Sequence, residues 1–202
     1  MTSVEMLARL RTLLDEASAG FWTDTEAYSA LSDGQREVVD ILFSKNRKHS
    51  LLKSLLKTAT GSNTTSTGIT LPTDFKDFVN AEYASATGAS KMPCKLVDYD
   101  EVFLRDKENS YLTPIRATPV IYLNATTGLR LIYFEPTSSA SDYNIVYLKQ
   151  PTEIASGADP ILPVETHEAI IMYAYSFLLR KDLRQAEADS ILTVFTNLAG
   201  IL

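Results

Sequence analysis

The sequence is poor in the residues that build metal sites and disulfides. Its 202 residues include one cysteine, Cys94, and two histidines, His49 and His167. A structural zinc site made of Cys and His needs four ligands, and one cysteine cannot form a disulfide within the chain. A chain of this length buries roughly 70% of its unfolded surface and folds without such staples. We therefore expect no metal and no other cofactor.

Long apolar runs and an excess of positive charge are also missing. No uninterrupted apolar run reaches the roughly 18 residues of a transmembrane helix, and the charged N-terminal segment lacks the apolar region of a signal peptide. The chain carries 19 basic and 25 acidic residues, a net charge of −6. Binding to nucleic acid needs clustered Lys and Arg to neutralise phosphates. These features predict a cytosolic site of synthesis, no membrane contact and no general nucleic-acid binding.

Helical patterns occupy the N-terminal part of the chain. Two capping boxes, each a Thr followed three residues later by a Glu, predict helices over Ser3–Ala17 and from Thr23 to about Lys45. Gly34 weakens the second helix by ~1 kcal/mol relative to alanine, which allows a bend there. The capping pairs are Thr2 with Glu5 and Thr23 with Glu26.

A third helix is predicted over His49–Thr60, because paired leucines recur there at a four-residue spacing. No acidic residue lies between Asp40 and Asp74, so this region is basic. The basic stretch has two interpretations: a solvated helix face, or an electrostatic contact with an acidic partner or with nearby DNA. The basic contact candidates are Lys45, Arg47, Lys48, Lys53 and Lys57.

The middle of the chain favours strands. A Ser-, Thr- and Gly-rich stretch, Thr58–Thr70, predicts an exposed loop, and four segments rich in Val, Ile, Tyr and Phe follow it. Asn124–Gly128 and Pro136–Asp142 predict turns that join the last three strands into an antiparallel meander. Strands apolar on both faces need a cover, either helices or a neighbouring subunit. The predicted strands are Asp77–Ala84, Thr118–Leu123, Leu129–Phe134 and Tyr143–Lys149.

Two further helices close the chain. Pro163 is suited to the first turn of a helix, and the last helix is predicted over Arg184–Leu198. The apolar tail Leu198–Leu202 is expected to be free and to seek a partner elsewhere. The predicted fold class is α+β, in one domain: residues 1–60 and 163–202 form a helical bundle, and residues 61–162 form a β-rich insertion.

Signatures of catalysis are missing from the sequence. It has no phosphate-binding glycine loop, no nucleophile elbow and no His-Glu-x-x-His motif. His167 lies in a predicted first helical turn, where polar residues are common, and Cys94 lacks the partners that activate a thiol. The segment Asp98, Asp100, Glu101 resembles the start of a calcium loop but lacks its central glycine. We expect neither catalytic residues nor a metal site, and hence no enzyme.

Three stretches resemble a known family. Phe21-Trp22-Thr23-Asp24-x-Glu26, with Gln35-Arg36-Glu37-Val38 after it, is similar to the N-terminal signature of tailed-bacteriophage head-to-tail adaptor proteins, also called connector or head-completion proteins. Leu71-Pro72-x-Asp74-Phe75 resembles the entry to their strand-rich insertion. His167-Glu168-Ala169-Ile170, Tyr173-Ala174 and Asp182-x-x-x-Ala186-Glu187 resemble their closing helix pair. The likeness covers about Ser3 to Phe195.

The resemblance implies a structural virion protein without catalysis. Such proteins form rings of identical subunits, commonly twelve, between the capsid portal and the tail, where they extend the DNA channel used for genome ejection. The implied partners are further copies, the portal, a tail or stopper protein, and genomic duplex DNA passing without specific contact. The implied location is the virion neck, after synthesis in the host cytoplasm. Candidate portal or neighbour contacts are Leu198, Ile201 and Leu202.

Two other functions stay open at this point. Another neck component, such as a stopper or tail-completion protein, would also form a ring, but those relatives are usually richer in strands. A soluble ligand-binding domain with a purely apolar pocket would leave no motif in the sequence. In the adaptor interpretation, the mixed, charged surface predicts an isolated chain that is monomeric or weakly associated and forms its ring on the portal.

Overall fold

The computed structural model describes residues 1–16, 20–64, 68–97, 117–126, 129–135 and 138–202. Helices lie at both ends of the chain and antiparallel strands lie in the middle, so the predicted α+β class is confirmed. The chain forms two compact units: residues Met1–Leu55 with Gln150–Leu202, and residues Leu56–Lys149. The calcium-loop candidates Asp98, Asp100 and Glu101 lie outside the described residues.

The helical unit is arranged around α3. Its helices are α1 (Ser3–Leu13), α2 (Asp24–Lys45), α3 (His167–Lys181) and α4 (Gln185–Ile201). Helix α3 packs against each of the other three. Pro163 is followed by a short 3₁₀ turn, Val164–Thr166, which leads directly into α3.

Both predicted capping boxes are present, but α1 is shorter than its pattern predicts. Each Thr accepts a hydrogen bond from its Glu backbone, and each Glu side chain bonds back to the Thr backbone. Helix α1 ends at Leu13 because Asp15 turns to a left-handed φ of 58°. The Glu16 N–H then bonds to the Arg11 carbonyl at 2.9 Å, a typical helix-ending turn. The predicted end, Ala17, lies outside the described residues.

Helix α2 anchors the segment that precedes α3. Gln35 is fully buried, and its side chain donates to the Thr152 carbonyl at 2.7 Å and accepts from the Ile161 N–H at 3.0 Å. Ser32 accepts from the Ile154 N–H at 2.9 Å. Buried polar groups need such partners. The two side chains therefore fix an irregular segment to the helix.

Among its described residues, the strand unit contains two four-stranded sheets, ordered β1-β8-β3-β4 and β2-β7-β6-β5. Buried side chains from both sheets share one core, which includes Phe78, Tyr83, Ile121 and Ile145. The second sheet therefore covers one face of the first. The strands are β1 (Leu56–Thr64), β2 (Ile69–Thr70), β3 (Phe75–Ala84), β4 (Met92–Pro93), β5 (Lys95–Leu96), β6 (Val120–Thr126), β7 (Leu129–Glu135) and β8 (Ser138–Lys149).

The predicted helix over His49–Thr60 is wrong. A 3₁₀ segment covers Ser50–Leu55, and β1 begins at the next residue. Strand β1 pairs antiparallel with β8, with Lys57 opposite Tyr147. This long-range pairing outweighs the local leucine spacing. The predicted loop over Thr58–Thr70 is wrong for the same reason, since β1 continues to Thr64 and Ile69–Thr70 forms β2.

The predicted three-stranded meander is only half right. Strands β6 and β7 pair antiparallel, from Val120 opposite Glu135 to Thr126 opposite Leu129. Strand β8 instead joins the other sheet, between β1 and β3. It begins at Ser138, inside the predicted Pro136–Asp142 turn. Strand β8 is therefore hydrogen-bonded along both of its edges, and one of its faces contributes Ile145 to the shared core.

The prediction that Leu198–Leu202 form a free tail is also wrong. Helix α4 continues through Ile201, and Ala199 is fully buried. The Lys45 ammonium donates to the carbonyl oxygens of Ala199 at 2.6 Å and Gly200 at 2.9 Å. Terminal helix carbonyls lack partners within the helix. The lysine supplies those partners and thereby extends the helix.

Candidate functional site

Helix α4 has two apolar faces. One packs into the helical unit through Ala188, Phe195 and Ala199, all of which are buried. The other carries apolar residues three, four and three positions apart, the spacing that keeps side chains on one face of a helix. Val194 is 42% exposed and Ile201 85% exposed on this face. We call it the outer stripe of α4; its members are Ile191, Val194, Leu198 and Ile201.

The outer stripe lies in a stretch of sequence without charged side chains. The chain has no charged side chain from Ser190 to Leu202. The exposed neighbours Thr193, Thr196 and Asn197 are neutral. The centres of protein interfaces are depleted of charged residues in the same way. An apolar and uncharged helix face is suited to a protein contact.

The predicted contact residues Leu198, Ile201 and Leu202 do not behave alike. Leu198 and Ile201 belong to the outer stripe, where Leu198 is half-buried and Ile201 is exposed. Leu202 is also half-buried but lies outside the stripe, and it donates its N–H to the Leu198 carbonyl at 3.3 Å. The Lys45 bonds hold this end of the helix in place. The candidate surface is therefore a helix face and not a loose tail.

The basic candidates do not form one helical face. Lys45 caps α4, and the Arg47 guanidinium lies 5.9 Å from the ring centre of Phe43. Lys48 and Lys53 are exposed. Lys57, in the strand unit, forms an ion pair of 2.6 Å with Asp74.

The contacts of Asp74 explain the Leu71–Phe75 motif. The Phe75 N–H bonds to the Pro72 carbonyl at 3.0 Å, which closes a turn before β3. Asp74 in this turn accepts from the Lys57 ammonium of β1 and, at 2.9 Å, from the Tyr147 hydroxyl of β8. The Lys57 hydrogen bond lowers the pKa of Asp74, and the same bond raises the pKa of Lys57. The motif ties three strands together.

The Phe21–Glu26 motif forms the turn between α1 and α2. The Arg11 side chain is buried and bonds to Glu16 at 3.0 Å, to Asp24, and to the Trp22 carbonyl at 3.2 Å. Glu16 accepts from the Phe21 N–H at 2.9 Å. Trp22 is 7% exposed, whereas Phe21 is 71% exposed. No local pattern in the sequence predicts that Arg11 is buried, because its partners lie beyond helix α1.

His167 and Cys94 have structural surroundings. His167 is buried, with Nε2 2.9 Å from the Leu162 carbonyl oxygen and Nδ1 3.1 Å from the Met1 amino group. Burial is the main cause that lowers the pKa of His167. Burial, with a smaller contribution from Glu82, raises the pKa of the Cys94 thiol to about 12. A neutral thiol is a poor nucleophile.

The SU10 adaptor protein family matches the chain over residues 1–199. The chain belongs to this family. It is a family of phage head-tail adaptors, which confirms the resemblance drawn from the three motifs. The protein is thus assigned to the structural adaptor class and to the virion components of a phage. No curated protein matches the chain.

The described part of this adaptor offers little for small-molecule chemistry. A groove of about 500 Å³ lies beside α2, between Asp24 and Arg36, with residues 153–156 on its other side. Its charged groups are engaged in ion pairs, since Arg36 bonds to Asp33 at 2.7 Å and to Glu153 at 3.0 Å. Within the described ranges, no cluster of His, Cys, Asp or Glu could hold a metal ion. No helix of the described residues is long and apolar enough to cross a membrane.

Part of the adaptor's candidate surface escaped the sequence interpretation. Neither Ile191 nor Val194 is among the predicted contact residues. The sequence does contain a pattern that indicates this surface. A second set of apolar residues at helical spacing lies in the uncharged stretch after Asp189.

Proposed function

We propose that this adaptor forms a ring of identical subunits between the capsid portal and the tail of a tailed phage, where it extends the DNA channel. The observation that carries the proposal is the outer stripe of α4 in a member of an adaptor family. Exposed apolar surface rimmed by polar residues marks a protein contact. A ring supplies such a contact to every subunit. The subunit number proposed from the family resemblance is twelve.

The exposed end of α4 is the proposed portal contact. Ile201 is 85% exposed at the last helical turn, and Lys45 holds that turn in place. A preorganised apolar residue binds with little loss of conformational entropy. The opposite side of the ring would receive a tail or stopper protein.

Net charge is consistent with a channel wall. The chain carries a net charge of −6, and like charges repel the phosphates of passing DNA. The exposed residues Arg47, Lys48 and Lys53 would add weak, salt-sensitive contacts to an acidic partner or to DNA. We propose no reaction and no cofactor for this protein.

A matched pair of variants tests the proposal. Val194→Lys places a charge on the outer stripe, and Thr193→Lys places the same charge on the next residue, which is exposed and outside the stripe. We expect V194K to weaken ring assembly on purified portal about tenfold or more, since burying an unpaired charge is costly, and T193K to assemble normally. Sedimentation of the portal mixture measures both. Equal assembly of V194K and T193K would contradict a role for the stripe.

A further inference from the structure

Strand β1 is an edge strand with one open side. In the first sheet, β8 lies on one side of β1, and among the described residues no strand lies on the other side. The residues Leu56–Ser62 pair with β8 in one unbroken register, and the register shifts only after Ser62. At about 3.3 Å per residue, this regular stretch is about 23 Å long. Its open side presents a row of backbone N–H and C=O groups to which another strand can bond.

We infer that the open edge of β1 binds an extended segment of a tail or stopper protein, which adds a strand to the sheet. The inference rests on the proposed function, because it assigns a surface of the strand unit to the partner on the tail side of the ring. In strand addition, main-chain hydrogen bonds supply the affinity and alternate side chains supply the specificity.

The other sheet edges in the described part of the strand unit are protected, whereas the edge of β1 is not. Strands β2, β4 and β5 lie at those other edges and have two residues each. Strand β4 ends in Pro93, which has no N–H to donate. Short strands, proline and free charges are the usual protections of an edge. Strand β1 has nine residues and no proline, and the charge of Lys57 is already paired with Asp74.

Contacts within the strand unit hold β1 in an extended shape. A glycine inside a strand usually weakens it, but the Tyr143 ring fills the space above Gly61, where a Cβ would collide with the Tyr143 hydroxyl. Lys57 ties the start of the strand to Asp74 at 2.6 Å. A preorganised edge loses little conformational entropy when a partner strand binds.

Side chains beside the open edge define the partner segment. Thr58, Thr60 and Ser62 alternate along one face of β1, and all three are exposed. Pairs of Thr with Thr or Ser are favourable between neighbouring strands. On the opposite face, the small side chain of Ala59 leaves room for a larger apolar one. We therefore expect a segment in which hydroxyl-bearing and apolar residues alternate.

A second copy of this chain is not the expected occupant. The described residues offer no second open edge of matching length, since β2, β4 and β5 have two residues each. Pairing of β1 with β1 would be twofold symmetric, and it would stop at a dimer. An extended segment of a different protein can instead bind every subunit of the ring in the same way.

Proline substitution tests the open edge. Adjacent residues of an edge strand point their N–H groups to opposite sides, so one of Ala59→Pro and Thr60→Pro removes an open-side donor and the other removes a bond to β8. Thermal unfolding identifies the open-side variant as the more stable of the two. Rings of this variant are formed on purified portal and mixed with purified tails of the same phage. We expect electron microscopy to show normal rings but about tenfold fewer joined to tails, because the added strand is left with an unpaired acceptor.

Thr60→Lys and Thr70→Lys give a second, matched test that does not depend on proline. Both threonines are exposed on edge strands, Thr60 on β1 and Thr70 on the two-residue β2. Lysine on an edge strand disfavours the addition of another strand. We expect T60K to reduce tail joining and T70K to join tails as the wild type does.

The outcomes separate this inference from the proposed function. Rings of T60K and of the open-side proline variant that join tails at the wild-type level would overturn the inference, while leaving the ring itself established. A dimer of the isolated protein that T60K dissociates would place a second copy at the edge and would also overturn it. The absence of wild-type rings on the portal would overturn both.

Discussion

Gly34 stands where α2 and α3 cross, and its missing side chain allows the two backbones to approach. A Cβ at this position would lie 2.6 Å from the carbonyl oxygen of Ile170. Helix α2 runs unbroken from Asp24 to Lys45, so the glycine serves packing and not a helix end. Alanine at this position must push one helix away from the other.

Gly34→Ala is therefore expected to destabilise the protein by about 1–3 kcal/mol, although alanine is the better helix former by ~1 kcal/mol. Gly200→Ala is the matched control, because a Cβ at Gly200 would meet nothing within 4 Å. It is expected to be neutral or slightly stabilising. Urea unfolding measures both free energies. A G34A protein as stable as G200A would refute the close crossing.

His167 makes the stability of the helical unit depend on pH. Burial lowers its pKa from the ordinary 6.5, so the folded protein holds the ring neutral while the unfolded chain binds a proton more readily. The contribution of neutral His167 to folding stability is complete above pH 6.5. It falls as the pH drops from 6.5 toward the lower pKa of His167 in the folded protein. Asp74, whose pKa is also lowered, loses its contribution only below its ordinary 3.8.

His167→Gln should flatten this pH dependence, because an amide can still donate to Leu162 but does not titrate. The wild-type melting temperature is expected to fall between about pH 7.5 and about pH 5.5, and that of H167Q to fall less. Thermal unfolding followed by circular dichroism compares the two slopes. Parallel slopes would mean that His167 is not held neutral.

At the scale of elements, α4 depends on a residue from another helix. Lys45, at the end of α2, supplies two hydrogen bonds to the last turn of α4. Without them, the carbonyls of Ala199 and Gly200 would turn to solvent and the turn would fray. The portal contact proposed for Ile201 relies on that turn.

Lys45→Met keeps the aliphatic part of the side chain but removes the donor. We expect faster amide hydrogen exchange in the last turn of α4, where the Leu202 N–H bonds to Leu198. Lys53→Met is the control, because Lys53 is exposed and its substitution removes an equal charge from the basic stretch. Unchanged exchange in K45M relative to K53M would show that the cap does not hold the helix end.

Local signals predicted the elements that depend on local contacts. The capping boxes at Thr2 and Thr23 fixed two helix starts, because each box closes within four residues. The start of strand β1 is wrongly predicted as a helix and its remainder as a loop, since its identity comes from pairing with β8 far along the chain. The same limit applies to Lys45, whose acceptors lie 154 and 155 residues away. For the candidate site, the sequence predicts Leu198 and Ile201 as contact residues. Their position on one face of a helix could not be predicted, because it depends on how α4 packs in the folded chain.

At the scale of the whole molecule, the chain combines a helical unit that bears the candidate contact surface with a strand unit. The helical unit exposes Val194 and Ile201 of the outer stripe of α4. A contact through one short helix face buries little area, so it supports weak association in isolation. A portal that aligns many copies would convert it into a stable ring, since linked contacts reinforce one another.

Electron microscopy of the purified protein mixed with the portal of the same phage is the direct test of ring formation on the portal. We expect a closed ring of identical subunits stacked on each portal, and few or no rings when the portal is left out. Portals that stay bare beside separate single copies of the protein would contradict it.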